Sequence, residues 1–278
     1  MKNKFWQIIY YQLIKRHYFA ITSSSRILPN FLIIGAKRCG TTSLFTNLPK
    51  HPSIIKSHHD NMGFFNDNYH LGVNWYKSFF PTRSYKRKIE KEYGKSLSFD
   101  TTTTYMENRK TAENIKKIKS DMKIIVMLRN PVDRAYSQYN LGIDIDQTES
   151  RKFEDIMNKE IEKLNNEQNS PFQIVRNESN FIKKGLYYEQ LKPWFDLFPR
   201  KNIGIFSTED FKNDSQRTYD MIFNFLDLPK FIINDNEIME KGNYTPMDKK
   251  IRNILANFYK PHNEKLFELI EQKFEWDD

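Results

Sequence analysis

Residues 31–44 read Phe31-Leu32-Ile33-Ile34-Gly35-Ala36-Lys37-Arg38-Cys39-Gly40-Thr41-Thr42-Ser43-Leu44. The apolar run 31–34 has the character of a strand buried on both faces. It ends at Gly35, a short loop runs to Gly40, and Thr41-Thr42-Ser43 opens a helix. Strand, glycine loop and helix start in that order make a phosphate cradle. The unpaired N–H groups of a helix N-terminus face outward, and the helix dipole adds positive potential. Lys37 and Arg38 add formal charge, and the threonine and serine hydroxyls add donors. Gly35 and Gly40 fit the spacing of the Walker A loop, but Thr41 stands where that loop carries its lysine. The basic residues sit inside the loop instead, which argues against an ordinary ATPase or GTPase. A tight strand-to-helix turn with incidental charges is the bland alternative.

Outward from this element, apolar and β-branched runs alternate with helical patterns. Strands are expected at 96–100, 123–128 and 202–206. Helices are expected at 41–48, 108–118, 132–143, 152–165, 186–198, 214–227, 247–258 and 262–273. Such alternation predicts parallel βαβ units. Residues 141–180 carry few periodic apolar positions and read as a peripheral helix and loop. Residues 1–29 differ from the rest: Phe5, Trp6, Ile8, Ile9, Leu13 and Ile14 lie among Lys2, Lys4, Lys15, Arg16 and His17. They read as a basic amphipathic extension ahead of a single domain spanning 30–278. This extension either touches a membrane surface or packs as an ordinary helix.

The 278 residues carry 38% hydrophobic and 15% aromatic side chains, enough for a large core and too many for a disordered chain. Cys39 is the single cysteine, which excludes an intrachain disulfide and a cysteine-based zinc site. Forty-four Lys and Arg against 35 Asp and Glu give a net charge of +9. A basic balance suits an anionic partner, although it also serves solubility. No apolar run approaches the roughly 20 residues of a membrane span, and no clean signal-peptide pattern opens the sequence. The expected location is cytoplasmic, with peripheral membrane contact through residues 1–20.

Two motifs give the chain a family resemblance. Gly35 through Leu44 resembles the 5′-phosphosulfate-binding loop of sulfotransferases that use 3′-phosphoadenosine 5′-phosphosulfate (PAPS). Leu128-Arg129-Asn130-Pro131-Val132-Asp133-Arg134-Ala135-Tyr136-Ser137-Gln138-Tyr139 is similar to their 3′-phosphate-binding segment, in which an Arg at a strand end and a Ser on the next helix grip the phosphate. The likeness extends through His51–Ile54, Gly63-Phe64-Phe65 to Trp75-Tyr76, Asp100–Tyr105, Tyr187–Pro199 and Glu209-Asp210-Phe211. It continues in Asn224–Leu226, Lys241-Gly242-Asn243, Pro261–Glu264 and Trp276. It is closest to the carbohydrate, heparan-sulfate-like branch.

The resemblance implies a P-loop NTPase-like three-layer α/β sandwich, with a mostly parallel central sheet flanked by helices. It implies sulfuryl transfer from PAPS to a hydroxyl of a carbohydrate or glycoconjugate, with PAP (the desulfated nucleotide) as product and no required metal. The implied donor contacts are Lys37, Arg38, Cys39, Gly40, Thr41, Thr42, Ser43, Arg129, Ser137, Lys241, Gly242 and Asn243. Arg38 stands where the family usually has the lysine that neutralises the leaving group. Three further positions depart from the family pattern. Asn61 replaces the glutamate that serves as general base, Thr101 stands where some members have Lys, and Asn243 stands where many have Arg. Asn61 can orient a hydroxyl but cannot take its proton, so Asp60 and His59 are the candidate bases. The alternatives are a P-loop kinase or NTPase and a non-catalytic nucleotide-binding module. No nucleic-acid-binding motif is recognisable.

Overall fold

The structure is a computed structural model that describes residues 20–144, 152–166, 172, 174, 180–233 and 244–276. Five parallel strands form one sheet in the order β2-β3-β1-β4-β5, with β1 at Phe31–Gly35, β2 at Ile54–Ile55, β3 at Leu97–Thr101, β4 at Lys123–Leu128 and β5 at Ile203–Ser207. Every residue of β1 is buried, as a continuous apolar strand at the centre of a covered parallel sheet should be. Four strands fall where the sequence places them. The two-residue edge strand β2 escaped it, because two isoleucines carry no periodicity.

The helices are α1 (Thr41–Asn47), α2 (Gly72–Lys77), α3 (Arg83–Tyr93), α4 (Arg109–Ile118), α5 (Pro131–Asp144), α6 (Phe153–Asn166), α7 (Tyr187–Leu197), α8 (Thr208–Asn213), α9 (Ser215–Phe225) and α10 (Lys249–Ile270). They flank the sheet and bury its faces in one large apolar core. A second cluster, built on Val132, Phe153, Ile182, Leu255 and Tyr259, joins α5, α6 and α10. No helix among the described residues is long and apolar enough to cross a membrane.

Two expected helices, 247–258 and 262–273, are one. α10 runs through Pro261. A proline inside a helix removes one N–H and crowds the carbonyl four residues back. Here both Pro261 and Asn257, which loses that bond, face solvent, while Ile251, Leu255, Tyr259, Leu266 and Ile270 continue one buried stripe. The freed carbonyl lies on the solvent-facing side, where water can reach it, and the apolar face holds the helix together. The single helix expected at 214–227 is preceded by a separate short one, α8. Its N-cap Ser207 accepts hydrogen bonds from the Glu209 and Asp210 amides.

The amphipathic helix expected at the start of the chain lies outside the described residues through position 19. Beyond it, Arg26 is buried, donates from Nη1 to the Phe80 carbonyl at 2.6 Å and bridges to Thr82. Ile27 and Leu28 pack on the core.

Candidate functional site

The connections from β1 and β4 leave in opposite directions, β1 toward β2 and β4 toward β5, so the carboxyl ends of these neighbours mark the topological switch point. In open α/β sheets ligands bind there. The loop after β1 begins with Ala36, whose amide donates to the Met127 carbonyl of β4 at 2.7 Å. It ends with Gly40, the N-cap of α1, at φ 83°. Glycine reaches that left-handed region without the steric cost of a Cβ. Arg38 also has a positive φ, 71°, an uncommon backbone state for a residue with a side chain and one often found at functional loops. The loop is held from below by Thr208, whose hydroxyl donates to the Cys39 carbonyl at 2.9 Å.

Cys39 itself is fully buried, with its sulfur 3.8 Å from the Tyr187 hydroxyl. Burial pushes its pKa up to about 11, so it is a neutral thiol that packs rather than reacts. Thr41 is buried, Thr42 exposed and Ser43 between. The amides at this helix start have no partner within the helix. Lys37 remains accessible, yet desolvation and the nearby Lys184 lower its pKa. Lys184 in turn pairs with Glu107 at 3.3 Å.

The second half of the crevice follows β4. Asn130 accepts the Val132 amide at 2.9 Å, and Pro131 occupies the first turn of α5, a favoured position for proline. The Asn130 amide donates to Glu209 and its side chain to the Trp276 carbonyl. Arg129 is therefore presented from a backbone fixed on three sides, with the Tyr187 hydroxyl donating to its carbonyl at 2.9 Å. One guanidinium nitrogen, Nη1, reaches the Arg38 carbonyl at 3.4 Å, while Nε is buried and has no hydrogen-bond partner among the described residues. Ser137, two turns into α5, accepts from Arg38 Nε at 3.2 Å. Desolvation and the adjacent Arg129 lower the Arg38 pKa. Two mutually repelling cations and an unpaired buried donor make a place where an anion is favourable. A cleft of about 300 Å³ opens beside it, lined by Arg129, Asp133, Tyr136, Tyr244, Met247 and Arg252.

The candidate base positions lie on another loop. Its two ends are secured by the His58 amide on the Phe79 carbonyl and the Asn61 amide on the Thr101 carbonyl, at 3.1 and 2.6 Å. Asn61 has φ 48°, a left-handed conformation that asparagine tolerates better than most residues. Its side-chain oxygen accepts from the Thr103 amide and its nitrogen donates to Asp60, each at 3.4 Å. Asp60 is exposed, and the His59 ring stands edge-on to Phe79 at 6.0 Å. The Thr103–Met106 turn also packs against Gly35. A Cβ added there would lie 3.2 Å from the Thr103 carbonyl and from Met106. That turn is where the loop bearing Asn61 meets the phosphate loop.

The structure thus brings Arg38, Arg129 and Ser137 together from segments about a hundred residues apart. It places His59, Asp60 and Asn61 on the neighbouring loop, and Thr101 buried at the end of β3 beneath it. Lys241, Gly242 and Asn243 lie outside the described residues. Sequence reading missed Thr208 and quoted Tyr187 and Arg134 only within motif segments, without their supporting roles: Thr208 and Tyr187 lie under the loops, and Arg134 is wholly buried with its guanidinium on Gln138 and the Phe181 carbonyl. Their roles are long-range, and only a buried arginine in an apolar helix face could have hinted at one.

The sheet order and the basic crevice at its switch point define a P-loop-like α/β protein suited to a phosphorylated ligand. The sulfotransferase domain pattern matches residues 28–262, and the chain belongs to the sulfotransferase family. The membrane-associated sulfotransferase kil1 of Dictyostelium discoideum is 27% identical, aligning 90% of this chain with 66% of that protein. Mouse heparan sulfate glucosamine 3-O-sulfotransferase 3A1 is 26% identical over 92% of this chain and 66% of its own length. The chain thus spans just under two thirds of both relatives. A crystal structure of a sulfotransferase from Alicyclobacillus acidocaldarius superposes with a TM-score of 0.70 at 25% identity, covering 91% of this chain and all of that one.

Proposed function

We propose that the protein transfers a sulfuryl group from PAPS to a carbohydrate hydroxyl. The observation that carries this reading is the convergence of Arg38, Ser137 and Arg129, with the Arg129 Nε buried and unpaired. These residues fit a nucleotide bearing two separated phosphate groups: cations and hydroxyls at both loops, and a cleft between α5 and the start of α10. When bound, PAPS supplies an activated sulfuryl group attached to a phosphate leaving group. Arg129 and Ser137 hold the 3′-phosphate, with Lys241, Gly242 and Asn243 completing that grip. Lys37, Arg38 and the Cys39–Ser43 segment hold the 5′ end. Arg38 neutralises the charge that develops on the leaving oxygen, a task its permanent charge suits. Asp60 or His59 takes the acceptor proton, directly or through one water, while Asn61 orients the groups.

A carbohydrate acceptor is supported by the relatives named for heparan sulfate glucosamine, and by the chain's net positive charge, which favours an acidic glycan. The basic amphipathic pattern of residues 1–20 and the name of the kil1 relative support peripheral membrane contact. Calorimetric titration tests the donor assignment. PAP should bind tightly without added metal, and ATP with Mg²⁺ weakly. The reverse order would assign the crevice to a kinase or NTPase.

A further inference from the structure

Asp100, in β3, is wholly buried, and no step of the proposed chemistry uses it. Among the described residues no cation is bonded to it. Instead three hydroxyls donate to its carboxylate: Tyr76 and Tyr105 to Oδ2 at 2.9 and 2.8 Å, and Thr102 to Oδ1 at 2.9 Å. A buried charge is tolerable only when its lone pairs are satisfied in this way.

Two of the three hydroxyls do a second job. Tyr105 accepts the backbone amides of Phe64 and Phe65 at 2.9 and 3.4 Å, and Thr102 accepts the Gly63 amide at 3.4 Å. A phenolic oxygen has one proton to give and two lone pairs to receive, so the Asp100 bond fixes where the lone pairs of Tyr105 point. Tyr76 differs. Its hydroxyl bonds Asp100 and, among the described residues, makes no hydrogen bond to the 61–65 segment, although its ring stacks on Phe64 at 4.3 Å.

We propose that Asp100 is a positioning residue: acting through Tyr105 and Thr102, it anchors residues 61–65 at the end of β3 and so sets the acceptor-side geometry beside the phosphate loop. The role in transfer rests on the sulfotransferase reading, whereas the anchoring does not. Asn61, whose amide is bonded to Thr101, and its neighbour Asp60 lie at the start of the anchored segment. The Asn61 amide fixes one point only, and the bonds to Gly63, Phe64 and Phe65 fix the direction in which the chain leaves it; small displacements of reacting groups cost rate steeply.

The two tyrosines provide a matched test, since Tyr105→Phe and Tyr76→Phe each delete one hydroxyl bond to the same carboxylate oxygen. Tyr105→Phe should speed hydrogen exchange at the Phe64 and Phe65 amides at least tenfold. It should lower the transfer rate by about 10- to 100-fold while PAP affinity stays within twofold. Tyr76→Phe should change the same exchange rates and the transfer rate at least tenfold less, even if both variants lose similar melting temperature. Equal effects of the two variants on exchange, or wild-type turnover by Tyr105→Phe, would overturn the proposal. If the wild-type protein transfers no sulfuryl group, the enzymatic reading falls, and the exchange contrast alone upholds or overturns the anchoring. Asp100→Asn, measured alongside, tests the carboxylate itself and also serves if Tyr105→Phe does not fold. It should loosen the same two amides, and unchanged exchange there would count against the anchor.

Discussion

Arg129 stands out at the scale of single residues. It leaves a buried strand end with one nitrogen on the Arg38 carbonyl and another unpaired. A charge-assisted contact to phosphate is worth about 1.5–3 kcal/mol, so Arg129→Ala should weaken PAP binding by that amount in calorimetry. Equal affinity of variant and wild type would remove the 3′-phosphate assignment. On the acceptor side, general-base assistance is typically worth about 10²- to 10⁴-fold in rate. Asp60→Asn or His59→Ala should lower transfer within that range with PAP affinity barely changed. Full activity in both single variants and the double variant would move the base off this loop. Asn61→Glu restores the family's carboxylate but must adopt the left-handed backbone of Asn61, at a cost of about 1–2 kcal/mol. Nothing in the sequence marks that backbone state.

Among the elements, α5 and α6 bracket one segment from both sides. Arg134 of α5 donates to the Phe181 carbonyl, and Glu160 of α6 accepts the amides of Phe181, Ile182 and Lys183 at 3.0, 3.1 and 3.4 Å. Burial outweighs these bonds and pushes the Glu160 pKa up to about 7. Burial likewise pushes Asp100 up to about 6. A raised acid pKa means that the folded state holds more protons than the unfolded state between the two values, so stability falls as pH rises through that window. Melting temperature should therefore decline between about pH 4.5 and 7 on account of these groups. Glu160→Gln should flatten the slope, and an unchanged slope would show that Glu160 does not titrate in this window. These elements also show what the sequence could reveal. The buried strands β1, β4 and β5 were legible because continuous apolar runs have one use in an α/β chain. The break expected near Pro261 was wrong because burial on one face outweighed one missing hydrogen bond on the other. Short α2 and the fully surface-lying α3, with no buried residue, escaped notice because neither presents a core-facing stripe of any length.

Taken as a whole molecule, the chain brings the Gly35–Leu44 and Leu128–Tyr139 segments to one switch point by building a parallel sheet with β1 at its centre. The motif residues were visible in the sequence, and so were the strands that carry them. Their hydrogen-bonded contact, Arg38 to Ser137 across 99 positions, was not, because only the register of β1 on β4 creates it. Charge neutralisation in this crevice comes from Lys37, Arg38 and Arg129, so transfer should persist in EDTA. Loss of turnover on chelation with rescue by Mg²⁺ would favour a kinase. The most direct test follows a labelled sulfuryl group from PAPS to a panel of glycan hydroxyl acceptors, with wild type and Arg38→Ala in parallel and EDTA present. Labelled glycan should accumulate with the wild type and fall sharply with the variant. No labelled product from wild-type protein that binds PAP would contradict the account and leave a nucleotide-binding module without transferase activity.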